Sequence, residues 1–229
     1  VNPGAFTPDG TARLRALACR GTFEAHLTVE ADGDERRAAF EALCRRLDVK
    51  CVLIELARGV HRSQPMTSSH HRGDLATVID QIEALHRGVC DGGFPVIRVK
   101  LEAVATNDGV PISDDEAAAL PGAYFEFHGK LRLPAGTGER ELDAIRAVCV
   151  AHGAHLSRND RARDEAGVAT RFVTLRVYGR GRDRATVAYD ALVDALTRAG
   201  HAVAGSKAEY TVYDGRVELD AGWLAEVPP

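Results

Sequence analysis

Two stretches 102 positions apart begin alike, Phe23-Glu24-Ala25-His26-Leu27-Thr28-Val29 and Phe125-Glu126-Phe127-His128-Gly129-Lys130-Leu131. Self-similarity at this separation means that one structural unit occurs twice, so the chain must fold as two copies of one design. The residues after each start also match. Positions 35–47 carry Phe40, Leu43 and Leu47 at helical spacing, and 139–152 carry Leu142, Ile145, Val148 and Cys149. The apolar run 51–56 comes after the first of these. Further on, an extended stretch at 63–71, a helix at 74–87 and a strand at 94–102 are answered by 171–178, 183–199 and 207–213. Aligning Ala84-Leu85 with Ala195-Leu196, and Arg87 with Arg198, brings the second helices into register.

Each half therefore reads β-α-β-β-α-β, the split βαβ arrangement of a ferredoxin-like fold. The predicted class is α+β: a tandem duplication of ferredoxin-like modules, with antiparallel sheets, helices on one face and a polar cleft between the halves. The expected boundaries are an N-terminal helical extension over 1–21, a first repeat over 22–104, a linker over 105–121, a second repeat over 122–215 and a tail over 216–229. The linker is read from Asn107-Asp108-Gly109, Pro111, Asp114-Asp115 and Pro121, which is turn chemistry. In the extension, 8–19 reads as one helix capped near Thr7 or Asp9.

Composition narrows the function classes. The 229 residues include 33 acidic and 29 Lys or Arg side chains, a net charge of −4, and are 45% hydrophobic. Disordered chains are poorer in apolar residues, and proteins that grip phosphate backbones through their overall field are basic. Nucleic acid is thus not the expected partner. No apolar run approaches a bilayer span and the start lacks a signal-peptide pattern, which predicts a soluble, cytoplasmic protein without a membrane partner. The five cysteines form no Cys-x-x-Cys pair, so neither a disulfide framework nor a zinc knuckle is indicated. Cys44 and Cys149 fall on apolar helical stripes and read as buried, while Cys90 reads as a turn residue.

Strand alternation locates the polar chemistry. On the first strand, Phe23, Ala25, Leu27 and Val29 share one face and Glu24, His26 and Thr28 the other. The second copy sets Phe125, Phe127 and Leu131 against Glu126, His128 and Lys130. Arg98 and Lys100 extend the polar face on the fourth strand, and Thr174 and Arg176 on the third strand of the second copy. By alignment of the copies, Thr67, Ser69 and His71 join that face in the first. Glu and His are poor residues for a central strand, and their duplication marks Glu24, His26, Glu126 and His128 as candidate catalytic residues.

Imidazole takes and gives protons near neutrality, so His26 and His128 read as an acid and base pair. His26-Leu27-Thr28-Val29 resembles the H-x-T-hydrophobic motif of the 2H phosphoesterases, bilobal proteins with one such motif per lobe. The resemblance implies phosphoester hydrolysis, and the second copy departs from it by placing Lys130 where Thr or Ser is expected. Thr28, Lys130, Arg98, Lys100 and Arg176 would then hold an anionic small molecule, phosphorylated or nucleotide-like. A divalent metal held by two Glu and two His is an alternative, similar to the His/Glu sites of vicinal oxygen chelate proteins, whose modules are β-α-β-β-β instead. Another is small-ligand binding or regulation without catalysis. The sequence leaves the cofactor unknown.

Two further features suggest anion binding. Gly-Arg segments, His70-His71-Arg72-Gly73-Asp74 and Gly179-Arg180-Gly181-Arg182-Asp183, precede each second helix, where backbone N–H groups can meet a phosphate, although ordinary turn and cap chemistry reads the same way. The densest polar stretch, 62–73, lacks a counterpart in the second copy and adds Arg62, Gln64, His71 and Arg72 to the ligand-binding candidates.

Overall fold

The computed structural model describes residue 6 and residues 8–55, 61, 63–134, 136–157 and 169–220. After helix α1 (Pro8–Arg15), the elements run β1 (Arg20–Val29), α2 (Asp34–Arg46), β2 (Lys50–Glu55), β3 (Ser63–Asp74), α3 (Leu75–Asp91) and β4 (Val96–Val104). A one-turn helix α4 (Asp114–Ala117) precedes the second series: β5 (Tyr124–Leu133), α5 (Glu139–Ala151), β6 (Ala154–Leu156), β7 (Ala169–Tyr178), α6 (Arg182–Arg198) and β8 (Val203–Asp214). Residues 217–220 form a 3-10 turn. The chain is a duplication of ferredoxin-like β-α-β-β-α-β modules. Strands are ordered β2-β3-β1-β4 in the first and β8-β5-β7-β6 in the second, the 4-1-3-2 pattern of that fold.

Two compact units divide the chain. Among the described residues, the first holds those up to Ile54, His61–Val110 and Tyr210–Leu219, and the second holds Glu55, Pro111–Glu209 and Asp220. The C-terminal part of β8 thus belongs to the first unit, beside β4, where Gly215 N–H donates to the Val99 carbonyl at 2.9 Å. The residues read as a linker are likewise shared out. Asn107 grips Thr22 from both ends of its amide, accepting from its N–H at 3.0 Å and donating to its carbonyl at 2.7 Å.

Each module has its own core on the helix-covered face. In the first, Phe23, Ala25 and Leu27 of β1 are fully buried with Phe40 of α2 and Val78, Ile79 and Ile82 of α3. In the second, Phe125 and Phe127 of β5, Ile145 and Cys149 of α5 and Ala185, Tyr189 and Leu192 of α6 are all buried. Each such large side chain contributes about 1.5–3 kcal/mol by leaving water. Burial also pushes the Cys44 and Cys149 thiols up to about 12 and that of Cys19 to about 11, away from reactivity. Cys90 lies in the last turn of α3, because that helix runs four residues beyond its predicted end.

The paired helices correct the alignment of the copies. Helices α3 and α6 are both 17 residues long, and their buried positions coincide when Val78 is set against Ala185, Ile82 against Tyr189 and Val89 against Leu196. The alignment of Leu85 with Leu196 is out by four residues. Four residues are nearly one helical turn, so both alignments keep the apolar stripe in phase. The structural pairing explains a departure between the two motifs. Leu27 and Ile82 in the first module are replaced by Gly129 and Tyr189 in the second, and a Cβ on Gly129 would come within 2.7 Å of the tyrosine oxygen. Volume moves from strand to helix, and the Tyr189 ring stacks on Phe127 at 4.7 Å.

Candidate functional site

On the face of β1 away from the helices, the register sets Glu24 beside Glu102, His26 beside Lys100 and Thr28 beside Arg98. These are the residue types expected there, yet the face is not open. Thr28, Arg98, Lys100 and Glu102 are all less than 10% exposed. Buried charges require partners, and each finds one within the first unit. Arg98 forms a two-pronged pair with Asp214, Nε to Oδ1 at 2.8 Å and Nη2 to Oδ2 at 2.6 Å. Lys100 Nζ lies 2.7 Å from Glu102 Oε1. Ser68 donates its hydroxyl to Glu24 at 2.7 Å.

His26 is held from both sides of its ring. Nε2 lies 3.1 Å from Glu102 and 3.6 Å from Glu24, and Nδ1 lies 3.2 Å from the Thr67 carbonyl oxygen. A carbonyl and ionised carboxylates only accept, so both ring nitrogens must donate and the ring is an imidazolium. Burial opposes that charge, but the hydrogen bond and attraction of Glu102, helped by Glu24, outweigh it and raise the pKa above the ordinary histidine value. The Thr67 carbonyl is free to serve because Leu27 N–H turns to the Thr67 hydroxyl, at 3.2 Å.

In the second module, Glu126 pairs with Arg176 and His128 with Thr174 along the β5–β7 register. Arg176 donates Nε to Glu126 and Nη2 to Asp220 at 2.9 Å, with its guanidinium 4.9 Å from the centre of the Tyr124 ring. His128 Nε2 lies 3.0 Å from Glu126, and Nδ1 lies 3.2 Å from the Thr174 hydroxyl. A hydroxyl donates as readily as it accepts, so this ring is not obliged to carry two protons. Lys130 is exposed, opposite Phe172.

The other predicted residues divide. Gln64 is buried and spends its amide on the His61 and Leu219 carbonyls, both at 3.3 Å. Arg72 is exposed beside Thr22, and Arg62 lies outside the described residues. His71 is a correction. The β1–β3 register sets Phe23 opposite His71 and Glu24 opposite His70, so Thr67, Ser69 and His71 take the helix side while Met66, Ser68 and His70 take the polar side. The alignment slips by one residue because 64–68 are buried without interruption, and a strand covered on both faces shows no alternation to read.

The Gly-Arg turns are likewise engaged by the chain itself. Asp74 caps α3 by accepting from Thr77 N–H at 2.9 Å. Ahead of α6, Asp114 accepts from Gly181 N–H and from Arg180, both at 2.9 Å, and these bonds hold its carboxyl below the ordinary range. A Cβ on Gly181 would strike the Ile112 oxygen at 2.3 Å, so glycine is needed for this close approach.

Four residues escape sequence reasoning. Asp214 and Asp220 lie at or beyond the end of the repeat, where no periodicity points to them. Ser68 is hidden by the register slip. His155, on the three-residue β6, is buried next to Thr174 and joins the His128 row. Among the described residues no group of three or more His, Cys, Asp or Glu side chains is placed to hold a metal ion. No described helix is long and apolar enough to cross a membrane.

No family model matches the chain. No curated protein matches it either. Among solved structures it is similar to a protein from Bacteroides thetaiotaomicron, at 9% identity and a TM-score of 0.29 over 90% of this chain and 98% of that one. It is also similar to the regulatory subunit of aspartate kinase from Thermus thermophilus, at 12% identity and a TM-score of 0.34 over 79% of this chain and 98% of the other.

Proposed function

We propose that the polar faces bind a small polar molecule, without turning it over, where they stay exposed, at His70 in the first module and at His128 and Lys130 in the second. The observation that carries this reading is the commitment of His26: both ring nitrogens donate to fixed acceptors, so the ring offers no lone pair to act as a base. Arg98, Lys100 and Arg176 likewise face carboxylates in the folded chain. Fixed donors and acceptors of both signs suit a ligand that carries both, more than a simple anion. Calorimetry and thermal unfolding over nucleotides, sugar phosphates, carboxylates and amino acids test this. A ligand at one hundred times its Kd should stabilise the fold by about 2.7 kcal/mol and be recovered chemically unchanged. Recovery of a cleaved product, or no stabilisation across all four classes, would sink the reading.

A second reading rests on His128. Its Nδ1 faces a hydroxyl able to donate to it, Glu126 orients Nε2, and the side chain is 29% exposed. That arrangement suits acid/base hydrolysis of an anionic phosphoester, with exposed Lys130 on the same strand to attract it. Hydrolysis of bis(p-nitrophenyl) phosphate that disappears in His128→Ala and persists in His26→Gln would favour it.

A further inference from the structure

A three-residue hydrogen-bonded chain lies on the helix side of β3, away from the paired charges. Ser69 and His71 are two apart on the strand, so their side chains leave one face, and Gln81 stands on α3. Ser69 Oγ is 2.9 Å from His71 Nε2, and His71 Nδ1 is 2.8 Å from Gln81 Oε1. An amide oxygen only accepts, so Nδ1 donates to Gln81, and in the neutral ring Nε2 then holds the lone pair to which the serine hydroxyl can donate. Nucleophile, base and orienting group in this order, each within hydrogen-bond reach of the next, are what activates a serine. Ser69 and His71 are half-buried and Gln81 is exposed, so the group meets solvent.

We propose that Ser69, His71 and Gln81 form an acyl-transfer site for small carboxylic esters. Ser69 Oγ attacks the ester carbonyl carbon while its proton passes to His71 Nε2. The carbon–oxygen bond to the leaving group breaks, and the alkoxide takes that proton away as an alcohol. Water then attacks the acyl-serine, gives a proton to Nε2, and the proton returns to Ser69 as the acid departs. Gln81 holds the ring through an uncharged oxygen and stabilises the imidazolium less than a carboxylate does, so the substrate needs a good leaving group.

The test treats the intact protein with a fluorophosphonate, whose phosphorus bonds to Ser69 Oγ as fluoride leaves, and assays p-nitrophenyl acetate in parallel. Mass spectrometry should place a single adduct on Ser69, absent in Ser69→Ala, and His71→Asn should slow labelling by about a hundredfold. Gln81→Glu should speed ester hydrolysis by about tenfold, a gain that a link merely tying β3 to α3 would not produce. If Ser69→Ala does not fold, wild-type labelling and the Gln81→Glu rate still decide. An adduct on another residue, no adduct on the folded wild type, or an unchanged rate in Gln81→Glu overturns the proposal.

Discussion

His26 and His128 occupy equivalent places in two copies of one strand, each two residues beyond a glutamate, yet their surroundings assign them different chemistry. The first meets a backbone carbonyl on one side and two carboxylates on the other. The second meets a hydroxyl and one carboxylate. A carbonyl leaves no choice of protonation, whereas a hydroxyl leaves one. Duplication therefore preserved the motif on the strand and changed what the neighbouring strand presents to it, Thr67 in β3 against Thr174 in β7. Which of two identical side chains can act as a base is decided one strand away.

The comparison is most severely tested at the carboxylates. Glu102 is the nearest carboxylate to both Lys100 and His26, so Glu102→Leu leaves His26 only Glu24 at 3.6 Å and weakens the pairing of Lys100, and should destabilise the first module by about 3–5 kcal/mol. Glu126→Leu should cost less, because Arg176 keeps Asp220. Urea unfolding of both variants measures the difference, and equal losses would break the contrast. Thr67→Val removes the acceptor of a buried Leu27 N–H and should cost about 1–3 kcal/mol. Thr174→Val, which withdraws only a partner of one ring nitrogen, should cost less than that by the same measurement.

The smallest effect concerns pH. His26 has a raised pKa in the folded state, so its stabilising contribution is full below the unfolded value of about 6.5 and is lost as pH rises through the raised folded value. Wild-type stability should therefore decline with rising pH above about 6.5, and His26→Gln should flatten that decline. A slope unchanged in His26→Gln would show that the ring is not held as an imidazolium.

Much of the architecture is legible in the sequence because the repeat supplies two readings of each element. Helix periodicity places α2, α3, α5 and α6 to within a few residues, and alternation on β1 and β5 assigns both faces correctly. It fails where its physical basis fails. Along 64–68 both faces of β3 are covered, so the parity of His71 cannot be read. Helical phase is nearly blind to a shift of one turn, which is why α3 and α6 align four residues out of place. Helix α4 rests on a reciprocal cap between Ser113 and Glu116, in a stretch too short for any period.

By itself the sequence determined the duplication, the fold of each module and the polar strand faces that bear Glu24, His26, Glu126 and His128, because all of these arise from spacing along the chain. Only the tertiary structure decided what those residues can do. It brought Asp214 to Arg98 across 116 positions and Asp220 to Arg176 across 44. It also assembled Ser69, His71 and Gln81 from a strand and a helix. Protonation and pairing depend on distances of about 3 Å between atoms remote in sequence, and those distances are set by packing rather than by local pattern.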